Sequence, residues 1–424
     1  MWRAILVTAC VLPLLLSLRS CAGLGFFTPS TRAVGTPPWV SVLLPTTGGT
    51  NTETHSPVIA AGNGERLYDC LTPLGGAGTT SPGRPPQLWV TDDSAQHWRH
   101  VADLPMPSDV TRFGLDCLLI GDDLDGARLV ATLFVPGAFP ATTTQPSTSY
   151  FSADGGASWR ALPNVDGMRV VQMATRAGLT YAHRVAGAPD GFGRSALSVS
   201  DDNLRSWRAV DADIQRDPHQ LANVPLIRDF WLRAEDGVLV VLSVYQENKN
   251  GSSSRMLWRS ADGGSHWSKE PLPSGYRDLV NRPTAGRISQ PICANPTQLG
   301  QATLCTSDGG VTWRPLTTAQ SAKNPDRVAS VYPIAQTGAG DLIAWVEDAE
   351  GPDEGPNLAS LQRLRAGASA WDVVESKPSE IQTSYAPTPG GGVLWRMITT
   401  LWTAPNGTDE QYRRISYLPY STIG

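Results

Sequence analysis

Five arginines stand where forked, permanently charged donors could meet. Arg112, Arg169, Arg228, Arg287 and Arg327 each precede or open a short apolar stretch. A guanidinium presents paired N–H groups in a plane that matches a carboxylate, sulfate or phosphate. If the apolar stretches are equivalent strands of a repeating structure, the five converge on one rim and form an anion site. Arg277, Arg282 and His219 could join it, and His55 and Gln382 hold two remaining positions. The competing reading is local pairing. Asp109, Asp116, Asp166, Asp229 and Asp278 lie close by in sequence and would neutralise arginines at loop tips.

Other reactive groupings are sparse. No Cys-x-x-Cys or His-x-x-x-His spacing offers zinc a site. There is no Gly-x-Ser-x-Gly elbow and no Gly-rich phosphate loop ending in Lys. The 6 histidines form no cluster. Neither a metal nor a cofactor is expected.

The elements that position these groups announce themselves by repetition. Ser152-Ala153-Asp154-Gly155-Gly156-Ala157-Ser158-Trp159 recurs as Ser260-Ala261-Asp262-Gly263-Gly264-Ser265-His266-Trp267 and as Thr306-Ser307-Asp308-Gly309-Gly310-Val311-Thr312-Trp313. Weaker copies run from Thr91 through Asp93 to Trp98 and from Ser200 through Asp202 to Trp207, and a decayed one from Gly367 to Trp371. The chemistry is that of a turn. Hydroxyl and carboxylate accept hydrogen bonds from backbone N–H groups. The glycines take backbone angles other residues avoid. The Trp fills an apolar slot, and its indole N–H needs one partner.

These strings resemble Asp boxes (BNR repeats), the hairpin motif of sialidase-type, sortilin-type and photosystem-assembly β-propellers. The resemblance implies outer turns away from the ligand face, so the Asp residues are structural and neither catalytic nor metal-binding. Sialidases also need a Phe/Tyr-Arg-Ile-Pro motif, which is absent, and a Tyr nucleophile paired with Glu. Tyr181, Tyr245, Tyr276, Tyr332 and Tyr385 are available, with Glu235 and Glu380 nearest, but no motif assigns the role. The Gly-Trp-x-x-Gly strings of the assembly factors are not evident either.

Around each box an apolar strand, a turn, a second strand and a strand leading into the box recur. Runs such as Leu129 to Val135, Val238 to Tyr245, Leu342 to Val346 and Val393 to Ile398 are apolar almost throughout, which suits strands covered on both faces. Six units end at Trp98, Trp159, Trp207, Trp267, Trp313 and Trp371, and Ser384 to Tyr420 supplies three further strands without a box. Trp39 to Pro45 matches the outer strands that follow Trp98 and Trp267. The expected fold is all-β: a seven-bladed propeller of four-stranded blades whose N-terminal strand completes the last blade, which ties the ends together and removes a sheet edge. The alternative is six blades with the ends decorating one side.

Composition agrees. Charged residues make up 17%, with 41 Gly, 34 Pro and 14 Trp, a balance that favours many short strands and turns. A net charge of −5 argues against nucleic acid as the main partner. Residues 1–22 read as a leader, 23–37 as a tether and 38–424 as one domain. Arg3 precedes the apolar run Ala4 to Leu18, too short for the ~20 residues of a spanning helix and fit for a signal peptide. Ser20-Cys21-Ala22 suits general cleavage. Leu18-Arg19-Ser20-Cys21 resembles a lipobox, with Cys21 lipidated, although Arg is atypical there. Free secretion, lipid anchoring and an uncleaved anchor stay open. Beyond the leader, Cys70, Cys117, Cys293 and Cys305 make an even set suited to two disulfides in an oxidising compartment. Cys293 and Cys305 flank one hairpin loop, Cys70 and Cys117 could bridge neighbouring blades, and four buried thiols are the alternative.

The expected role is a monomeric, exported binding module for a protein, peptide or glycan, with a sialidase-like glycosidase as the alternative. Trp231, Trp345, Trp395 and Trp402 could stack sugars, or pack between blades.

Overall fold

The computed structural model describes residues 40–42, 53–55, 59–61, 66–73, 85–93, 96–105, 116–121, 127–134, 147–163, 168–186, 195–215, 226–233, 236–246, 253–279, 287–288, 292–296, 301–316, 319, 330–336, 341–347, 358–378, 382–387, 393–403 and 409–419. Met1–Pro38 and Trp39–Gly424 are separate units. The leader, the tether and Cys21 lie outside the described residues, and the account concerns the second unit.

The described residues of that unit are all-β apart from one short helix, α1 (Ala212–Gln215). Most consecutive strands pair antiparallel in the order they are made, so the sheets are built on up-and-down meanders. Sheet 1 holds β2 (Glu53–His55) and β3 (Ile59–Ala61), both on β4 (Arg66–Pro73), then β5 (Gln87–Thr91) and β6 (Arg99–Asp103). Sheet 2 is β7 (Asp116–Gly121), β8 (Leu129–Phe134), β9 (Ser147–Ser152) and β10 (Arg160–Ala161). Sheet 3 is β11 (Arg169–Arg176), β12 (Leu179–Val185), β13 (Ser195–Ser200) and β14 (Arg208–Ala209). Sheet 4 runs β15 (Leu226–Arg233), β16 (Leu239–Gln246), β17 (Ser253–Ser260) and β18 (Ser268–Pro271). Sheet 5 runs β19 (Tyr276–Leu279), β21 (Ile292–Pro296), β22 (Leu304–Thr306) and β23 (Arg314–Pro315). Between them, β20 (Arg287–Ile288) pairs in parallel with β15, Leu232 opposite Arg287. Sheet 6 is β24 (Ser330–Gln336), β25 (Leu342–Glu347), β26 (Leu358–Leu364) and β27 (Trp371–Pro378). The terminal sheet joins β28 (Gln382–Pro387), β29 (Val393–Thr403) and β30 (Asp409–Pro419) to β1 (Val40–Val42). In it Val40 faces Tyr417 and Val42 faces Ile415. The first strand of the unit thus lies outermost in the last sheet, the pairing expected of Trp39 to Pro45.

The apolar runs have a physical reason. Side chains alternate between the faces of a strand, and here each face meets a different sheet. On β8, Leu129, Ala131 and Leu133 join a core with sheet 1, while Val130 turns to sheet 3. On β16, Leu239 and Val241 pack towards sheet 3 and Val240 and Leu242 towards sheet 5. Strands buried on both sides carry no polar alternation. First strands of successive sheets also touch: β3 with β7, β7 with β11, β11 with β15, and β24 with β28.

Polar bonds stitch the sheets. Gln172 on β11 donates its amide to Phe230 O at 2.9 Å and accepts from Phe230 N at 3.2 Å. Ser195 Oγ accepts from Ile227 N at 2.7 Å, and Thr303 donates to Val331 O at 3.1 Å. Two disulfides are present. Cys70–Cys117 joins β4 to β7, and Cys293–Cys305 links directly opposed residues of β21 and β22. Such bridges persist in oxidising, extracytoplasmic compartments.

Candidate functional site

Each repeated Asp string forms the turn between the third and fourth strands of its sheet, and the fourth strand follows the Trp. The bonding is the same five times. The first hydroxyl donates to the carboxylate: Thr91 to Asp93 at 2.6 Å, Ser152 to Asp154 at 2.7 Å, Ser200 to Asp202 and Ser260 to Asp262 at 2.8 Å, Thr306 to Asp308 at 2.7 Å. In four turns that hydroxyl also accepts the N–H of Gly156, Leu204, Gly264 or Gly310. The same carboxylate oxygen accepts the N–H four residues on, from His97, Ser158, Ser206, His266 and Thr312. The side chains of those five residues reach the second oxygen, at 2.5 to 2.7 Å. This last donor was not read from the sequence, where the position before Trp passed as variable. His, Ser and Thr share the ability to donate there, and that is the signal.

Gly264 has φ of +88°, and a Cβ on it would lie 2.7 Å from Val210 Cβ of sheet 3. The turn therefore needs glycine twice over, for angle and for approach. In the weaker copy Leu204 adopts φ of 65° and buries its side chain against sheet 2 instead. The decayed copy keeps Gly367 at φ of 78° and closes through Ala368 N to Arg365 O. Asp341, ahead of β25, supplies the missing carboxylate to Ala366 N and is held by Arg363 at 2.7 Å.

The Trp residues dock on the preceding sheet. Trp159 packs against the core that holds Leu104, Trp207 against that of Leu162 and Trp267 against that of Val210, while Trp313 and Leu272 share the core of sheets 4 and 5 and Trp371 and Leu316 share that of Val331 and Val346. Trp98 ends the first turn, just before β6. The expectation that each indole N–H finds a partner holds for Trp267, which donates to Val210 O at 2.6 Å. It fails for Trp159 and Trp313, whose indole N–H groups are buried without one among the described residues. Docking depends on apolar area, and the bond is an addition.

The turn carboxylates titrate low. Asp154 is depressed by the Ser158 hydroxyl, against burial. At Asp308 burial works upward, yet the bonds from Thr312 and Thr306 hold it at about 2. Asp93, Asp202 and Asp262 also lie well below the ordinary carboxylate value through their bonds from Thr91, Ser206 and His266 respectively. A group depressed on folding stabilises the fold above its unfolded pKa, and that contribution disappears as pH falls through the folded value. Urea midpoints should therefore hold down to the carboxylate range near pH ~4 and then drop towards pH ~2. Asp308→Asn should lower the midpoint at neutral pH and flatten the acid limb. An unchanged acid limb in that variant would exclude the turn as its source.

The end of each sheet opposite the Asp turns is where first strands begin and where the second strand joins the third. In sheet 3 Arg169, Val185 and Ser195 mark this end. Arg169 opens β11 and is buried. In β15 the register skips Arg228 between Ile227 and Asp229, so Arg228 is a bulged residue close to the same end. In β19 the skip falls on Arg277, between Tyr276 and Asp278. Arg287 departs from expectation. It lies on β20, beside the far end of β15, and the position expected of it belongs to Arg277. The periodic reading failed because an extra strand separates β19 from β21. Bulges re-aim side chains; β11 carries one at the corresponding place, between Val170 and Gln172, whereas that of β24, between Pro333 and Ala335, falls near the turn into β25. Arg112 and Arg327 lie outside the described residues, as do the side chains of Arg228, Arg277 and Arg287.

Two of the candidate tyrosines, Tyr276 and Tyr181, serve the scaffold. Tyr276 donates to Ala302 O at 2.7 Å. Tyr181 is buried, which raises its pKa, and its hydroxyl lies against Gly263 of the next Asp turn. Trp231 is fully buried in the core of sheets 4 and 5, so it stacks no sugar. Among the described residues no group of His, Cys, Asp and Glu could hold a metal.

A cleft of about 50 Å³ lies between sheets 2 and 3, lined by Thr148, Ser149, Met168, Val170, Leu162, Pro163, Arg184 and Trp207. Arg184 is buried, donates from Nε and Nη2 to Ser198 Oγ at 3.2 and 2.9 Å, and lies 5.3 Å over the Trp207 ring.

No family model and no curated protein matches the chain. Among solved structures it is similar to YCF48 bound to D1 peptide, at 13% identity and TM-score 0.47, covering 92% of this chain and 99% of that one. It is similar to a polysaccharide lyase, PL25 ulvan lyase, at 11% and 0.48, covering 88% and 95%. It is also similar to Trypanosoma rangeli sialidase, at 10% and 0.40, covering 94% of this chain and 60% of that one.

Proposed function

We propose that the chain is an exported, seven-bladed propeller of the Asp-box type that binds a protein or peptide on the face opposite the Asp turns. One observation carries this reading. The five Asp-turn carboxylates and Asp341 are each consumed in holding turns, while bulges in adjacent sheets place Arg228 and Arg277 at equivalent positions towards the other end. One end is built for rigidity, and the backbone bulges near the other carry an arginine in two adjacent sheets. The terminal sheet, completed by β1, supplies the seventh blade, and β1 lets the ring close on itself. Two disulfides support export.

The test uses the exported chain cross-linked in envelope preparations, alongside an Arg228→Ala/Arg277→Ala double variant. The expected result is a proteinaceous partner that the double variant loses at least tenfold, at an unchanged melting temperature. Equal capture by the variant, or steady turnover of fluorogenic glycosides by the purified chain, would overturn the reading. The second outcome would identify a glycosidase.

A further inference from the structure

We propose that Cys293–Cys305 is a redox-controlled clasp: a dithiol oxidoreductase opens it, and opening loosens the part of sheet 5 that carries Arg277. For its consequence the inference rests on the protein-binding reading above, to which it adds a control. Three observations carry it. The first is access. Cys70, Cys117 and Cys293 are buried, whereas Cys305 is half-buried on β22. A thiolate must reach a sulfur to open a bridge, and exposed bridges are the labile ones. Arg314, which is exposed, lies directly opposite Cys305 on β23, and a cation beside a sulfur favours its thiolate. The second is the thin ladder around the bridge. Among the described residues β21 and β22 pair at three positions, with the bridge at the middle one, and β22 and β23 pair at two. By contrast, β16 and β17 of sheet 4 pair at eight, so the covalent bond carries a larger share of the restraint in sheet 5.

The third is what the bridged hairpin holds. Ahead of Cys305, Ala302 O accepts from the Tyr276 hydroxyl at 2.7 Å, and Tyr276 adjoins the bulged Arg277. Beside Cys293, Ala294 faces Leu279 and Asn295 faces Asp278. Both halves of the bridge therefore hold the strand that bears Arg277. Backbone pairing keeps β21 and β22 aligned when the bridge is open, so the change stays local. The exchange balances as an ordinary two-electron step. One thiolate of the dithiol attacks Cys305 Sγ, the bond to Cys293 breaks, and Cys293 leaves as a thiolate that takes up a proton. The second thiolate of the dithiol then displaces Cys305, which leaves beside Arg314 and is protonated in turn. The reductant ends as a disulfide, and its protons end on the two cysteines.

The experiment incubates the exported chain with dithiothreitol under native conditions, alkylates free thiols at intervals and maps the modified cysteines by mass spectrometry. Cys293 and Cys305 should be alkylated about tenfold sooner than Cys70 and Cys117. Arg314→Gln should slow their alkylation several-fold at an unchanged melting temperature. Amide hydrogen exchange should then rise in β19 and β21 while β4 and β7 keep their protection. Cys293→Ala/Cys305→Ala should show the same rise without reductant. Simultaneous opening of both bridges, or no rise in β19, would overturn the proposal. Partner capture reads the broader proposal separately. Equal capture by the oxidised and the reduced chain sinks the control alone. Capture by neither form sinks the protein-binding reading, and the exchange data then decide the clasp.

Discussion

Trp267→Ala should destabilise the chain by about 3 kcal/mol, in the range for removing a large aromatic from a packed site. Trp267 is partly buried against a core that includes Val210, Leu197 and Trp258. It is the point at which the fourth strand of sheet 4 leans on sheet 3. Its truncation leaves a gap beside Val210, and Gly264, which presses on the same residue, has no side chain to fill it. Two further variants separate packing from hydrogen bonding. Trp267→Phe keeps most of the ring but strands Val210 O, and should cost about 1 kcal/mol more than Trp313→Phe. Trp313 has no indole partner among the described residues. Val311→Ala, at a residue 56% exposed in an equivalent turn, should stay within about 0.5 kcal/mol. Urea denaturation gives all four values. A Trp267→Ala loss no larger than that of Val311→Ala would mean the sheets are not held by their turn anchors.

The legibility of this fold follows from where its information is local. An Asp turn is eight residues whose bonds are nearly all internal, so Ser152, Asp154, Gly156 and Trp159 announced it directly. The disulfide partners were readable because Cys70 and Cys117 occupy similar strings in adjacent units, and Cys293 and Cys305 flank one hairpin. Arg287 was misplaced for the opposite reason. Its position is fixed by a parallel pairing with Leu232, a contact between distant segments that leaves no periodic trace. Arg277 was undervalued because a bulge is a register event, visible only once Tyr276 and Asp278 are seen to face Pro296 and Asn295. The stacking of Arg184 on Trp207 was not legible either: Arg184 lies in the strand Leu179–Val185, and nothing in sequence says that its face of the strand meets Trp207. The carboxylate of Asp341 shows the same limit. It replaces a lost Asp-turn acid from 25 residues away, and local pattern cannot show such a substitution.

The Cys70–Cys117 bridge should matter more than Cys293–Cys305, although both cysteine pairs lie in strands. Cross-linking lowers the entropy of the unfolded chain by an amount that grows with the logarithm of the enclosed loop. A separation of 47 residues gives about 4 kcal/mol and one of 12 about 3 kcal/mol on this scale. The native side widens the gap. Cys293 and Cys305 face each other within one hairpin that backbone bonds already align, whereas Cys70–Cys117 spans two sheets that, among the described residues, meet through side chains such as Tyr68, Leu119 and Leu133. Cys70→Ala/Cys117→Ala should therefore lower the urea midpoint further than Cys293→Ala/Cys305→Ala. It should also raise hydrogen exchange in β4 and β7 together, because the lost constraint is one between sheets. If the second pair proved the costlier, or if exchange rose in β4 alone, the seam between sheets 1 and 2 would be held by its apolar contacts and the bridge would act only on the unfolded chain.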